Sequence, residues 1–144
     1  SDFSVTPGAG AAGGLGFGLM TFAGAIIESG FEVFAEATDL VTKIGEADFV
    51  VTAEGAIDEQ SLMGKGTGQV AALCRRLGKP CIGLAGQLEL GKVEVDPGKR
   101  LFWRLAAIVP DLATEQEAMA NAAYHLERLA KREGNLIAGT DFTG

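Results

Sequence analysis

Two acids, a hydroxyl and a lysine stand within one glycine-flanked stretch of the sequence: Glu54, Asp58, Ser61 and Lys65. A carboxylate can orient or deprotonate an attacking hydroxyl, or it can hold Mg²⁺ through its oxygens. A lysine can neutralise the charge that develops on a transferred phosphoryl group. The set therefore favours phosphoryl transfer, and a solvated surface loop with ordinary charges is the alternative that the residues leave open.

The glycines of this stretch do not form a P-loop. Gly55 and Gly64 are too far apart for the Walker A pattern, and Gly66 follows Lys65 where that pattern has serine or threonine. A phosphate-binding site in this stretch must therefore differ from the Walker A loop.

A second glycine-rich stretch, Gly8-Ala-Gly10-Ala-Ala-Gly13, matches the pattern G-x-G-x-x-G. Three interpretations are open: tight turns with close helix packing, a phosphate or substrate cradle at a helix start, and a nicotinamide dinucleotide site. Free N–H groups in a first helical turn and the helix dipole favour a bound anion. A dinucleotide site should directly follow a strand, whereas Pro7 makes the preceding residues a poor strand.

Hydrophobic periodicity predicts helices in the first part of the chain. The residues Leu15, Leu19, Phe22 and Ile26 recur on one helical face, which predicts a packed helix from about Ala11 to Glu28. Two shorter helices are expected over residues 31–37 and 38–44.

Beyond residue 47, short apolar runs alternate with amphipathic helices. The expected strands are Asp48–Ala53, Cys81–Ala85 and Leu105–Val109. The expected helices are Thr67–Leu77 and a long one that begins at a capping box, Thr114 to Glu117, and runs to about Glu133 before Gly134-Asn135. This alternation predicts an α/β fold with a parallel sheet covered by helices on both faces. Ligands bind beyond the carboxyl ends of such strands, so the expected loop from Glu54 to Gly66 is the first candidate site.

Length and charge limit the possible partners. The 144 residues favour one α/β domain, with the glycine-rich loop and its helices in residues 1–46 and a βαβ core in residues 47–144. A hydrophobic content of 47% allows a core and excludes intrinsic disorder. The net charge of −7 argues against a nucleic-acid partner and against an anionic membrane surface. A small phosphorylated ligand stays open, because backbone N–H groups can bind phosphate.

The two cysteines and the single histidine do not have the spacing of a zinc site. We interpret Cys74 and Cys81 as buried reduced thiols, which indicates a reducing compartment and hence the cytoplasm. His125 lies beside the apolar stripe of the last helix and is interpreted as structural. The run Gly8–Ile27 is interpreted as a loop that feeds a buried helix rather than a membrane span, because its glycines lower its hydrophobicity.

Three motifs in one order make the sequence similar to the bacterial glycerate kinase family of the glyoxylate and glucarate pathways. Pro7–Gly16 resembles its glycine-rich signature, Ala47–Lys65 its block A-D-hydrophobic-T-G-E-G-x-x-D-x-Q-[ST]-x-x-G-K, and Pro80–Gly86 its strand P-V-I-A-L-A-G. Two departures stand out: Ala53 replaces the glycine before the glutamate, and Gly66-Thr67 replaces a proline expected after Gly-Lys.

The resemblance implies a kinase that uses ATP and Mg²⁺ to phosphorylate D-glycerate. It implies that Glu54 and Asp58 are functional acids, acting in substrate orientation, proton abstraction or Mg²⁺ contact (Asp58 for the last), and that Lys65 acts with them. The residues expected to contact substrate or phosphate are Gly8, Gly10, Gly13, Gly14, Gly55, Ser61 and Gly64.

The resemblance covers the carboxyl-terminal third of such an enzyme, because the family signatures P-D-S-F-K-G and A-D-G-G-E-G do not occur here. Family members have two α/β lobes with the active site between them, so the resemblance implies an incomplete, Rossmann-like lobe. A parallel sheet without its neighbouring strands exposes apolar edges and faces. We therefore expect the isolated chain to self-associate or to pair with the missing part. A non-catalytic binding or assembly domain is the alternative to a kinase.

Overall fold

Residues 2–63, 65–90 and 100–140 are described by a computed structural model of the chain. Two units can be distinguished in it, Ser1–Asp39 and Leu40–Gly144. The first unit contains the glycine-rich segment, and the second contains the sheet and the acidic stretch.

The first unit has two helices, α1 (Ala11–Ala23) and α2 (Gly30–Ala37). The start of α1 is kinked, because residues 12, 13 and 14 all have left-handed backbone angles. The helix ends at Gly24, whose left-handed φ of 65° lets its N–H bond back to the carbonyl of Leu19. The expected helix from Ala11 to Glu28 is therefore wrong at its carboxyl end.

The prediction that one apolar face of this helix is packed is also wrong. The four residues of that face, Leu15, Leu19, Phe22 and Ile26, are between 46% and 89% exposed, whereas Met20 is buried. Periodicity reports the conformation of a segment but not which side of it meets a partner.

The second unit is built around a three-stranded parallel sheet in the order β1-β2-β3. Its elements in chain order are α3 (Leu40–Glu46), β1 (Val50–Asp58), α4 (Glu59–Leu62), α5 (Thr67–Arg76), β2 (Cys81–Glu89), β3 (Arg104–Val109), α6 (Glu115–Ala120) and α7 (Ala122–Ile137). The β1–β2 register runs from Val50 opposite Cys81 to Asp58 opposite Glu89. The predicted α/β fold with a parallel sheet is confirmed.

Helices cover the sheet on both faces, as predicted. On one face Ile82 and Leu84 of β2 join a core cluster with Leu129 of α7. On the other face Cys81 interacts with Cys74 of α5. Successive strand residues point to opposite faces, so α7 and α5 lie on opposite sides of β2.

The first two predicted strands are too short at their carboxyl ends. β1 continues to Asp58 and β2 to Glu89, because the backbones of residues 56–58 and 87–89 pair with each other. The expected loop from Glu54 to Gly66 is thus a strand end followed by the short helix α4. Gly86 permits this pairing, since a Cβ there would lie 2.5 Å from the carbonyl oxygen of Gly55.

The last helical region is broken, contrary to the prediction of one helix. The capping box is present: the Thr114 hydroxyl accepts from the N–H of Glu117, and the Glu117 carboxylate accepts from the N–H of Thr114. The helix is interrupted at Asn121, where φ is −138° and ψ is 49°, and α7 then continues past Gly134 to Ile137. Glycine inside a helix lowers its stability but does not end it when packing on the sheet holds both sides.

An ion-paired network fixes α7 to β3. Glu133 is 2% exposed and binds the guanidinium of Arg104 on β3 and Nε of Arg132, the latter at 2.9 Å. Burial raises the pKa of Glu133, but the hydrogen bonds and charges of Arg104 and Arg132 outweigh burial, so the net pKa lies below the usual 4.5. The carboxylate is therefore ionised and neutralised in place.

The two thiols, Cys74 and Cys81, are free and buried, as predicted. Burial and the neighbouring Cys74 raise the pKa of Cys81 to about 12. In the described residues, the helices are too short or too polar to cross a bilayer.

Candidate functional site

The candidate site lies at the carboxyl end of β1. Glu54 stands within the strand, opposite Ala85 of β2, and Asp58 is its last residue. Glu54 is exposed and Asp58 is half-buried. The two predicted acids are therefore on one strand, four residues apart, at the end of the sheet where α/β proteins bind ligands.

Asp58 is the cap of α4. Its Oδ1 accepts from the backbone N–H of Ser61 at 2.9 Å, while the Ser61 hydroxyl accepts from the backbone N–H of Asp58 at 3.4 Å. This reciprocal arrangement is a capping box, and it fixes both the start of α4 and the rotamer of Asp58. The hydrogen bond from the Ser61 N–H lowers the pKa of Asp58 below its usual value, so the group is ionised at neutral pH.

Ser61 joins the two acids. It is 4% exposed, and its Oγ lies 3.3 Å from Asp58 Oδ1 and 3.3 Å from Glu54 Oε2. Its single hydroxyl hydrogen can be donated to only one of these oxygens at a time. The expected contact between Ser61 and substrate stays a prediction. The structure places Ser61 as the bridge between the carboxylates.

Thr67 is a residue that sequence reasoning missed. It is the first residue of α5, it is 7% exposed, and its Oγ1 donates to Glu54 Oε2 at 3.0 Å. The sequence shows only that Thr67 begins the predicted helix after the acidic stretch, and that position does not reveal its bond to Glu54. Glu54 is thus held by two hydroxyls on one oxygen.

Two glycines explain how α5 comes so close to the acids. A Cβ on Gly68 would lie 1.6 Å from the carbonyl oxygen of Ser61, so only glycine fits between α4 and α5. Gly66 has a left-handed φ of 52°, and a Cβ there would lie 3.0 Å from Oε1 of Glu54. These close approaches bring the start of α5 to the Glu54 carboxylate.

Lys65 lies beside this network but is not joined to an acid. Its Nζ donates to the side-chain oxygen of Gln60 at 2.8 Å, and the side chain is exposed. Among residues 2–63, 65–90 and 100–140, no carboxylate forms a salt bridge with it. A neutral acceptor leaves the positive charge of Lys65 available to an anion.

The structure reports differently on the other predicted site residues. Gly55 lies inside β1, where its carbonyl faces Gly86. Gly64 lies outside the described residues. The departure at Ala53 leaves the strand regular, since Ala53 pairs with Leu84 of β2.

The glycine-rich segment belongs to the first unit. Gly8, Gly13 and Gly14 have left-handed φ values of 88°, 69° and 91°. A Cβ on Gly10, Gly13 or Gly14 would meet no atom within 4 Å, so this backbone is open to a ligand. The Gly14 N–H bonds to the Gly10 carbonyl at 3.3 Å and is used by the turn itself. A phosphate cradle at these glycines stays a prediction.

The carboxylates of Glu54 and Asp58 determine which metal ions the site could hold. The described part of the chain contains no group of three or more His, Cys, Asp or Glu side chains that could hold a metal ion. Mg²⁺ needs less, because it commonly binds one or two carboxylates together with substrate phosphates and water. Asp58 and Glu54 fit a Mg²⁺ ion that arrives with a nucleotide, and they do not fit a permanent all-protein metal centre.

An apolar groove lies away from these acids. Its volume is about 590 Å³, and it is lined by residues of α7 together with Phe49, Val51 of β1 and Ile82 of β2. Val51 is 50% exposed in this groove. The expectation that neighbouring strands are missing stays a prediction.

Comparison with known proteins decides the family. The profile of the Glycerate kinase family matches residues 1–138. The chain belongs to the glycerate kinase family. It is 37% identical over 131 residues to a protein named glycerate kinase in Bacillus subtilis (strain 168), covering 91% of this chain and 34% of that protein. It is 46% identical over 139 residues to glycerate 2-kinase of Escherichia coli (strain K12), covering 95% of this chain and 35% of that protein.

A solved structure of the same family has the same fold. The crystal structure of a putative glycerate kinase 2 from Salmonella typhimurium LT2 superposes with a TM-score of 0.64 at 32% identity. The match covers 92% of this chain and 33% of that one. The chain thus spans about a third of the length of the family members it matches, and the resemblance to bacterial glycerate kinases is confirmed.

Proposed function

We propose that this chain supplies the acidic half of the active site of an ATP-dependent glycerate kinase. The observation that carries the proposal is the linked set at the end of β1, in which Ser61 connects the carboxylates of Glu54 and Asp58. Family membership supports the substrate class. Phosphoryl transfer needs an oriented hydroxyl and compensation of phosphate charge, and the set offers groups for both.

Glu54 is the proposed base for the glycerate hydroxyl. Two hydroxyls hold Oε2, so Oε1 is the oxygen left for a substrate hydroxyl. Glu54 accepts the hydroxyl proton as the glycerate oxygen bonds to the γ-phosphorus of ATP and the bond from that phosphorus to ADP breaks. Geometry favours Glu54 over Asp58 for this role, because Asp58 is committed to capping α4.

Asp58 and Lys65 are the proposed phosphate-side groups. Bound with the nucleotide, Mg²⁺ would supply charge compensation on the phosphates, and Asp58 would hold it through a carboxylate oxygen. Lys65, exposed and bound to the neutral side chain of Gln60, would contact a phosphoryl oxygen directly. The predicted cradle of Gly8, Gly10, Gly13 and Gly14 belongs to the first unit, and phosphate binding by its backbone N–H groups is a separate prediction.

The proposal is tested by one substitution in a full-length kinase that contains this segment. Glu54→Gln keeps the shape and the hydrogen bonds to Oε but removes the base. We expect kcat for ATP-dependent phosphorylation of D-glycerate to fall by about 10²- to 10⁴-fold. Glu59→Gln, an exposed acid on the adjacent helix α4, is the matched control and should retain kcat. Equal activity of the two variants would remove Glu54 from the mechanism.

The short span of the chain favours a second candidate, a binding or assembly domain that is inactive alone. Exposed apolar residues on β1 support association with a second copy or with the rest of a family chain. A kinase assay on the 144-residue chain separates the two candidates. Sedimentation at high concentration tests association, and a clean monomer would contradict it. The expected cytoplasmic location stays a prediction.

A further inference from the structure

Thr67 occupies the point where this chain departs from the family signature. A proline is expected shortly after Gly-Lys, and Gly66-Thr67 stand there instead. This departure adds a hydrogen bond to the candidate site, because Thr67 Oγ1 donates to Glu54 Oε2 at 3.0 Å. Proline has no hydroxyl and could not make this bond.

The direction of the Thr67 hydroxyl is unusual for a helix. A threonine within a helix commonly returns its hydrogen bond to a carbonyl of the preceding turn, as Thr21 does to Phe17 and Thr38 does to Phe34. Thr67 is the first residue of α5 and has no preceding helical turn, so its hydroxyl bonds instead to a carboxylate thirteen residues earlier in the chain.

The surroundings make this bond well defined. Thr67 is 7% exposed, and the glycine on each side of it allows the close approach: Gly66 to the Glu54 carboxylate, and Gly68 to the carbonyl of Ser61. Ser61 donates from the other side to the same carboxylate oxygen at 3.3 Å. Two buried hydroxyls from two helices therefore fix one oxygen of an exposed acid.

We propose that Thr67 is the positioning residue of Glu54. By holding Oε2 together with Ser61, it fixes the rotation of the carboxylate and keeps Oε1 directed at the substrate hydroxyl. This inference rests on the proposed role of Glu54. A carboxylate held by Ser61 alone can rotate about its last bond, and a misplacement of about 1 Å can cost on the order of 100-fold in rate.

The test uses three variants of a full-length kinase that contains this segment. Thr67→Val keeps the shape and removes the hydroxyl, and Thr67→Ser keeps the hydroxyl and removes a methyl group. We expect Thr67→Val to lower kcat by about 10- to 100-fold with little change in the KM for ATP. Thr67→Ser should restore kcat to within about threefold of the parent. Thr67→Ala replaces the valine variant if valine prevents folding, as judged by circular dichroism.

A double-mutant cycle separates positioning from a general structural role. In a Glu54→Gln background, Thr67→Val should lower kcat by less than about twofold, because the group it positions is already inactive. If Thr67→Val lowered kcat by the same factor in the parent enzyme and in the Glu54→Gln variant, the inference would be overturned, since Thr67 would not act through Glu54. A normal kcat for Thr67→Val beside a low one for Glu54→Gln would also overturn it, while leaving the proposed function intact. A normal kcat for Glu54→Gln would remove both.

Discussion

Two glutamates at opposite ends of the second unit show two ways of holding a carboxylate. Glu133 on α7 is 2% exposed and is bound by the guanidinium groups of Arg104 and Arg132. Glu54 on β1 is exposed and is bound by the neutral hydroxyls of Ser61 and Thr67. The first acid is neutralised by its partners, and the second is oriented by them.

The difference in partners indicates a difference in role. A buried acid paired with two cations has its charge satisfied inside the protein and has nothing left to offer a ligand. Hydroxyl donors fix the position of a carboxylate and leave its negative charge uncompensated. The same logic applies to Lys65, whose partner is the neutral amide of Gln60. The end of β1 therefore offers an oriented carboxylate for the proposed role as a base and a lysine for the proposed phosphate contact.

The largest effect on stability is expected at the structural acid. Glu133→Ala leaves Arg104 and Arg132 without their buried partner; because water can reach both guanidinium groups, the free energy of unfolding should fall by about 2–3 kcal/mol. Urea denaturation measures this. Glu127→Ala, which removes an exposed i,i+4 pair with Lys131, is the control and should change stability by about 0.5 kcal/mol or less. If Glu133→Ala lowered the free energy of unfolding no more than Glu127→Ala does, the structural role assigned to Glu133 would be contradicted.

An intermediate effect is expected where the backbone places the acids. Gly68→Ala puts a Cβ 1.6 Å from the Ser61 carbonyl, so α4 and α5 must separate, at a cost of about 1–3 kcal/mol. The shift should also lower kinase activity, because Ser61 and Thr67 both bind Glu54. Gly45→Ala, in α3 with no atom within 4 Å of its Cβ, is the control and should stabilise the chain by about 0.5–1 kcal/mol. Thermal melts measure the stability, and a coupled assay measures the kinase activity of a full-length kinase that contains this segment. A Gly68→Ala variant that is less stable but equally active would show that this packing does not position the acids for catalysis.

The smallest effect is expected at the capping box of α6, in which Thr114 and Glu117 bond to each other. Thr114→Ala removes the cap of α6 and should cost about 1 kcal/mol in the free energy of unfolding, with kcat unchanged. The same motif at Asp58 and Ser61 lies in the candidate site. A measurable fall in kcat for Thr114→Ala would show that cap loss alone disturbs catalysis, and the box at Asp58 would then need no functional explanation.

Sequence reasoning located the acids but misjudged the element that carries them. Glu54, Gly55 and Asp58 have the composition of a turn, which led to the expected loop. Pairing with the end of β2 overrides that local preference and makes them a strand. Thr67 was missed for a related reason: its partner is thirteen residues away, and only the packing of α5 on α4 brings the two together.

Local patterns were enough to identify the parallel α/β architecture, both cysteines as buried thiols, the cap at Thr114 and the acidic stretch, because each depends on residues close together along the chain. The length of the first two strands and the bond from Thr67 to Glu54 depend on contacts between distant segments. Such contacts depend on which backbones can approach each other, and a linear pattern of residue types carries no record of that distance.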